Sequence, residues 1–510
     1  MKIFYALISL LAISISAHAA PPEVTIVTGA KPKALEKYAA EELAVLLKTL
    51  FQAEAKITGS VPEGAKNIIL LGNAETNPAI PKSEWPTGIS DQGHVLKNTK
   101  DGLIVGGGSQ VATLWAVYEF GHSFGMRYML HEDFPPIDAP EFSLEGVDTI
   151  LEPNVKVRAW RTLDPGIASQ ESWGLADHKK LLKQLAKLKF NHVVLASESQ
   201  PRERSVSVTG DIAGRSVFGG AKTFENPDFA GKTTQTDKLG SWTKLLIGIR
   251  RSAAILGMSD SVDDKGTKIL NLSPGQPNGG LLPQFSTTKL AEELMEARKV
   301  NGFAAQCWIP GDHNSGIYFL SRASFDANIT PAQSLESLVT PVCGEGVAER
   351  LGMGFAALAE ASALINENDA DFAVPDPKMF MEHYESGKPV PEWWAKAKEH
   401  FGTATNEMYR GNTRARGGAR PYILYHAKRF FFSLHYMTAI DHARLAGIAR
   451  DEKNNEAWVE NLELSIEAMH NALGIHAEVA RDQSDRGVIA ILNEYAYRPL
   501  LKALDETPLP

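Results

Sequence analysis

The chain has 510 residues, 44% hydrophobic and 22% charged, with a formal net charge of −9. That length allows about three domains, and the composition is that of a soluble globular protein. The acidic balance, with no long basic run, argues against a nucleic-acid partner. The nearest basic cluster, Arg410, Arg414, Arg416 and Arg420, reads as a solvated loop between two helices.

Met1 to Ala20 has the pattern of a secretory signal. Lys2 gives the positive start, Ile3 to Ile15 the apolar core, and Ala17-His18-Ala19 the small-x-small cleavage site. The apolar core is too short to span a bilayer, and no later segment is apolar enough to do so. The expectation is a periplasmic or secreted protein without a membrane span.

From residue 23 to about 150, strand and helix alternate. Val24–Val27 and Ile68–Leu71 read as strands. Lys33–Leu50 places Leu35, Tyr38, Ala39, Leu43, Leu46, Leu47 and Leu50 on one helical face. Gly93–Lys97 and Gly102–Val105 form a hairpin pattern. Ser109 is a suitable N-cap for a helix through Phe124, which Gly125 ends. Gly106-Gly107-Gly108 before that helix tempts an anion-loop reading. It lacks the Lys-Ser/Thr of a nucleotide loop and the spacing of a dinucleotide fingerprint, so a tight structural turn is expected.

Between 151 and 330, Val155–Trp160, Asn191–Ala196, Lys268–Leu272, Leu281–Phe285 and Phe303–Ile309 are strand candidates. Helices are expected from Asp177, with Leu181, Leu182, Leu185 and Leu188 on one face, over Lys238–Leu256, and over Thr287–Lys299. A complete eightfold barrel needs eight strands and eight helices. This segment offers about five and three, and the shortage lies between Gly257 and Leu281. Beyond Thr330-Pro331, a helix start with Pro at its first position, the chain reads as helix over Glu392–Tyr409, Tyr422–Ala449, Asn454–Leu473 and Ile475–Leu504. The RFFFSLHYM run around Phe431 is apolar on nearly all sides and is expected to be buried. Asp482, Asp485, Arg486 and Glu494 read as ion pairs across a helix interface.

The candidate site residues fall at or near the C-terminal ends of the barrel-segment strands, the edge where such folds place their chemistry. They are Arg158, Trp160 and Asp164 in VRAWRTLD, Glu198, Gln284, and Trp308, Asp312, His313 and Asn314 in CWIPGDHN. Trp160 and Trp308 suit either core packing or the CH face of a pyranose. The Asp-His-Asn run suits either a site or an ordinary turn. If Asp312 lies in a solvated loop, its removal should weaken sugar binding and leave melting unchanged. Only two cysteines occur, Cys307 and Cys343. Outside the cytoplasm they are free to pair, or Cys307 serves as a buried thiol in its apolar run. Metal-ligand spacings are missing, so neither metal nor other cofactor is expected.

The segment GHVLKNTKDGLIVGGGSQVATLWAVYEFGHSFGMRYMLHEDFPP, with G-x-L-I-V-G-G, Y-E-F and G-M-R-Y, resembles the small α/β domain before the catalytic barrel of β-N-acetylhexosaminidases and α-glucuronidases. The resemblance implies structural roles for Gly106, Tyr118 and Arg127. It implies a fold of α/β plus all-α class: signal segment 1–20, α/β domain 21–150, incomplete (β/α) barrel-like domain 151–330 and helical C-terminal domain 331–510. In α-glucuronidases the helical domain contributes to dimers. Arg158 and Asp164 are similar to the Arg and Asp that hold sugar hydroxyls after the first barrel strand, though the spacing here is one residue longer. Hexosaminidases carry an Asp-Glu pair after the fourth strand. Neither Glu132-Asp133 nor Asp505-Glu506 stands at such a position. Two functions stay open: an exported glycoside hydrolase using Glu198 and Asp312, acting on an N-acetylhexosaminide or uronic-acid-containing glycan, or a carbohydrate-binding or interaction protein that kept the scaffold and lost the acid/base pair.

Overall fold

A computed structural model describes residues 20–161, 173–195, 242–260, 269–272, 281–307, 309–368 and 379–507. The export segment, Asp164, Glu198 and Trp308 lie outside these residues, apart from Ala20.

The N-terminal region is a mixed six-stranded sheet. Its elements are β1 (Glu23–Val27), α1 (Ala34–Phe51), β2 (Glu54–Thr58), β3 (Ile68–Leu71), β4 (His94–Thr99), β5 (Gly102–Gly107), α2 (Gln110–Ser123), the short pair β6 (Arg127–Tyr128) and β7 (Asp133–Phe134), and β8 (Thr149–Leu151). The strand order is β2-β1-β3-β5-β4-β8. The apolar faces of α1 and α2 meet the sheet through Leu43, Leu47, Leu114 and Val117. Ser109 caps α2 by accepting from the Ala112 amide at 3.2 Å. The glycine triplet is structural. A Cβ at Gly106 would fall 1.7 Å from the Gly72 carbonyl oxygen, and one at Gly108 would fall 1.9 Å from that of Ser90. Only glycine allows backbone to approach backbone that closely.

Next come β9 (Val157–Arg161), α3 (Leu175–Lys187), β10 (His192–Val194), α4 (Trp242–Ile255), β11 (Leu270–Leu272), α5 (Thr287–Lys299) and β12 (Gly302–Ala305). Among the described residues these strands form one parallel sheet, in the order β10-β9-β12-β11. Ser259 extends it by a parallel bridge to His192. Each step to a neighbouring strand, from β9 to β10, from β10 to Ser259 and from β11 to β12, therefore runs in the same sense across the sheet. Right-handed crossovers taken in one sense put every helix on the same face. Trp160, Phe190 and Phe303 lie on that face and meet edge to face, with centroids 6.2 and 5.9 Å apart. A first strand held between the second and the last is the closure of a (β/α) barrel. Only residues 260–269 separate Ser259 from Leu270, whereas a strand-plus-helix unit takes roughly 30 residues. Among the described residues the first, second and last strands of such an arrangement are paired, with only the 260–269 link between Ser259 and β11 in the sequence.

Leu281–Phe285 is not a strand. The Leu281 carbonyl accepts from Arg429 at 3.0 Å, the Phe285 amide donates to Ser362 Oγ at 3.1 Å, and Pro283 has no N–H to offer a ladder. Side chains of later helices have taken the groups a sheet would need.

The remainder is helical: α6 (Asn314–Ala323), α7 (Pro331–Cys343), α8 (Val347–Glu367), α9 (Met379–Glu385), α10 (Glu392–Arg414), α11 (Arg420–Asp451), α12 (Asn455–Ala477), α13 (Gln483–Leu492) and α14 (Arg498–Asp505). Thr330 and Gln333 form a capping box at α7, with Pro331 at its first position. Phe430 and Phe432 on α11 are fully buried, while Phe431 is half-buried. The expected helix Ile475–Leu504 is interrupted at 478–482 and passes through a π turn at Asn493–Tyr497. Cys307 and Cys343 are separate buried thiols. No helix among the described residues is long and apolar enough to cross a membrane.

Candidate functional site at the C-terminal edge of the parallel sheet

Side chains alternate along a strand, so Arg158 and Trp160 share one face of β9, and Ala159 and Arg161 share the other. Register assigns the rest. Ala159 stands beside His192 and Ala304, Arg161 beside Val194, and Ala304 beside Asn271. The face that carries no helix of this unit thus bears Ala159, Arg161, His192, Val194, Asn271 and Ala304. Arg161 ends β9, and its Nη2 reaches across β12 to donate to Asn271 Oδ1 at 2.7 Å. Asn271 is exposed, while Arg161, His192 and Val194 are half-buried. The His192 ring lies 2.7 Å from Asn191 Oδ1. Burial, then the nearby Arg158 charge, lowers its pKa to about 4, so it is neutral at ordinary pH.

Arg158 and Trp160 are on the other face. Arg158 is the second residue of its strand, not near the C-terminal end, and is fully buried. Its guanidinium lies over Trp115 at 4.9 Å and Phe325 at 4.8 Å. It donates to the carbonyls of Lys189 and Val155 and to Gln92 Oε1. Beside it Glu119 accepts from Lys189 and Arg322 at 2.6 and 2.7 Å. These charges join the N-terminal region to the parallel sheet. Trp160 is likewise fully enclosed.

Asp312 is not in a solvated loop. After β12 the chain forms a 3-10 turn at Pro310–His313 and enters α6. There Arg429 of α11 donates Nε and Nη2 to the two Asp312 carboxylate oxygens at 2.8 and 2.7 Å. The arginine is wholly buried and the aspartate 5% exposed. Burial alone would raise the Asp312 pKa. The Arg429 charge and its hydrogen bonds outweigh that and hold the carboxyl below the ordinary aspartate value. A carboxylate held ionised and enclosed is unsuited to general-acid work. Asn314 Oδ1 accepts from the Leu130 amide at 2.8 Å, pinning α6 to the N-terminal region. Burial lowers the His313 pKa to about 4. Gln284 is 3% exposed, and neither of its amide atoms has a partner among the described residues.

The segment after α12 is also polar and buried. Tyr425 donates to Asp485 Oδ1 at 2.8 Å, and the Arg481 amide donates to Oδ2 at 2.8 Å. Asp482 Oδ1 accepts from the Ser484 and Asp485 amides, and its Oδ2 lies 2.8 Å from His131. Burial, then the Asp482 charge, pushes the Asp485 carboxyl up to about 7. Of the four charges expected to pair across a helix interface, Asp482 reaches His131, whereas Arg486 donates to the nearby Gln483 and Glu494 pairs with Arg498 one turn on.

Sequence reasoning missed Arg161, His192 and Asn271. The signal was in VRAWR. Once Trp160 is assigned to the core, period two places Arg161 on the opposite face. Among the described residues no cluster of His, Cys, Asp and Glu is arranged to hold a metal ion.

No family model matches the chain, and no curated protein matches it. Solved structures do. The fold is glycosidase-like. A family GH115 4-O-methyl-α-glucuronidase with specificity for decorated arabinogalactans superposes with a TM-score of 0.54 at 12% identity, over 93% of this chain and 79% of that one. A GH138 enzyme targeting pectin rhamnogalacturonan II aligns over 95% and 100% of the two chains at 8% identity, with a TM-score of 0.49. The Streptomyces plicatus β-hexosaminidase aligns over 52% and 43% at 13% identity, with a TM-score of 0.26. At 12% identity the likeness to the GH115 enzyme is one of fold.

Proposed function

We propose that this chain binds carbohydrate at the C-terminal edge of its parallel sheet without hydrolysing it. The observation that carries this reading is the Arg161–Asn271 hydrogen bond. It spans two strands at the edge where related folds bind ligands, on the face free of the sheet's own helices. The guanidinium and the amide together donate to and accept from sugar hydroxyls or a uronate carboxylate. Asp164, Glu198 and Trp308 follow the ends of β9, β10 and β12 by a few residues in the sequence, and in this reading they complete the binding groups. Asp312, with Arg429, frames the loop and does no acid/base work. The short link 260–269 supports the loss of turnover, because it leaves no chain for the fourth strand and the Asp-Glu pair that follows it in hexosaminidases.

A test is titration of oligosaccharides bearing 4-O-methyl-glucuronate, the group named for the GH115 neighbour, into the wild type and Arg161→Ala. Loss of one hydrogen bond to a charged group costs about 1.5–3 kcal/mol, so affinity should fall by about tenfold or more. Equal affinity would remove Arg161 from the site. The fold likeness to the glucuronidase favours a second reading, in which Glu198 supplies an acid or base for hydrolysis. Release of free uronic acid that Glu198→Gln abolishes would establish it.

A further inference from the structure

A cavity of about 510 Å³ opens where the loop before β7, the first turns of α3, the start of α11 and the linker from α12 to α13 converge. Its α3 wall belongs to a helix on the face of the sheet opposite Arg161, and Arg161 is not among its lining residues. Pockets of this size at the meeting of structural units are the usual place for a small ligand. Its apolar surface comes from Leu181 and Leu424, with Trp173 behind, anchored by its Nε1 donating to Ser484 Oγ at 2.9 Å.

The charges on its walls decide what fits. Glu132 pairs with Arg481 at 2.9 Å and Glu478 with Lys428 at 2.9 Å, and Asp482 Oδ2 lies within hydrogen-bond distance of His131 at 2.8 Å. An ionic ligand would have to displace one of these partners. That leaves Asp177 and Lys180, one turn apart on α3, which form no ion pair among the described residues. They are opposite in sign, so the cavity favours neither an anion nor a cation. An acceptor and a donor set on an apolar wall match a molecule with hydroxyls on its rim and C–H groups on its face.

We propose that this cavity is a second subsite, for an uncharged pyranose. The inference rests on the carbohydrate reading above. The probes are methyl β-galactopyranoside and methyl β-glucopyranoside, observed by saturation-transfer NMR and titration, with the corresponding methyl glucuronide as the charged control. Ligands of this size bind at about 1 mM. The wild type should take up at least one neutral glycoside, and Arg161→Ala, which has lost the uronate-binding guanidinium, should take it up in preference to the glucuronide. Leu424→Trp, which fills the cavity, should weaken that binding by about tenfold or more, and Arg161→Ala should leave it unchanged. If Leu424→Trp melts early, Asp177→Ala/Lys180→Ala on the solvent side of α3 serves instead, with the same expected loss. Neutral glycosides binding equally to wild type and to the filled or double variant, or not binding to the wild type at all, would overturn the proposal. If the longer acidic glycan still binds the wild type and is lost in Arg161→Ala, only the second subsite falls. If no glycan binds, both readings fall.

Discussion

Asp312 shows how burial reverses the meaning of a residue. In a solvated loop its removal would cost binding and spare stability. Against a wholly buried Arg429, Asp312→Ala strands a charge, which typically costs about 3–5 kcal/mol. A large drop in melting temperature is therefore expected, partly recovered when Arg429→Met is added. An unchanged melt would return Asp312 to solvent and reopen its candidacy for catalysis. Asp485 makes a pH prediction. Its folded pKa is raised from 3.8 to about 7, so the folded state holds a proton that the unfolded state has released. The stabilisation is complete below pH 3.8 and lost as pH rises through about 7. Asp485→Asn, which mimics the protonated form, should therefore gain stability relative to wild type as pH rises from 5 to 8. Parallel melting curves across that range would rule this out. Neither environment was legible in the sequence, since Arg429 lies over a hundred residues from Asp312 and no local pattern joins them.

Elements read well where their signals are local. Ser109, Gly125 and Thr330-Pro331 end or begin helices as capping chemistry requires. The apolar spacing of α1 and the short runs of β1 and β3 were equally readable. β2 escaped because EAKIT is an edge strand with little buried surface, so it lacks an apolar pattern. Leu281–Phe285 misled in the opposite direction. Its apolar residues are buried, but against helices, and burial does not distinguish a strand from a packed loop. The contact between the 3-10 turn after β12 and α11 gives a test at this scale. A Cβ on Gly311 would fall 2.4 Å from Tyr425 Cζ and Oη. Gly311→Ala must move the tyrosine that donates to Asp485, and overpacking of this kind costs about 1–3 kcal/mol. A variant that melts with the wild type would mean that turn and helix are not rigidly docked.

At the scale of the whole molecule, the low strand count led to the expectation of an incomplete barrel, and among the described residues four strands pair in parallel. β9 lies between β10 and β12, so the closing seam is kept. In the sequence, residues 260–269 are all that separates Ser259, bridged to His192, from β11. The candidate site was half legible. Its edge followed from where the apolar runs stop, but assigning Arg158 to it in place of Arg161 was an error of parity along one strand. The proposed function joins a glycosidase-like fold to sugar binding without turnover. Isothermal calorimetry of a glucuronate-bearing oligosaccharide, with the cell monitored for hours after saturation, reads both halves at once. The expected result is a saturable binding heat that Arg161→Ala weakens by about tenfold or more, followed by a flat baseline. Sustained heat flow corresponding to turnover of about 1 per second or faster, or no binding heat for any acidic or neutral glycan, would contradict it.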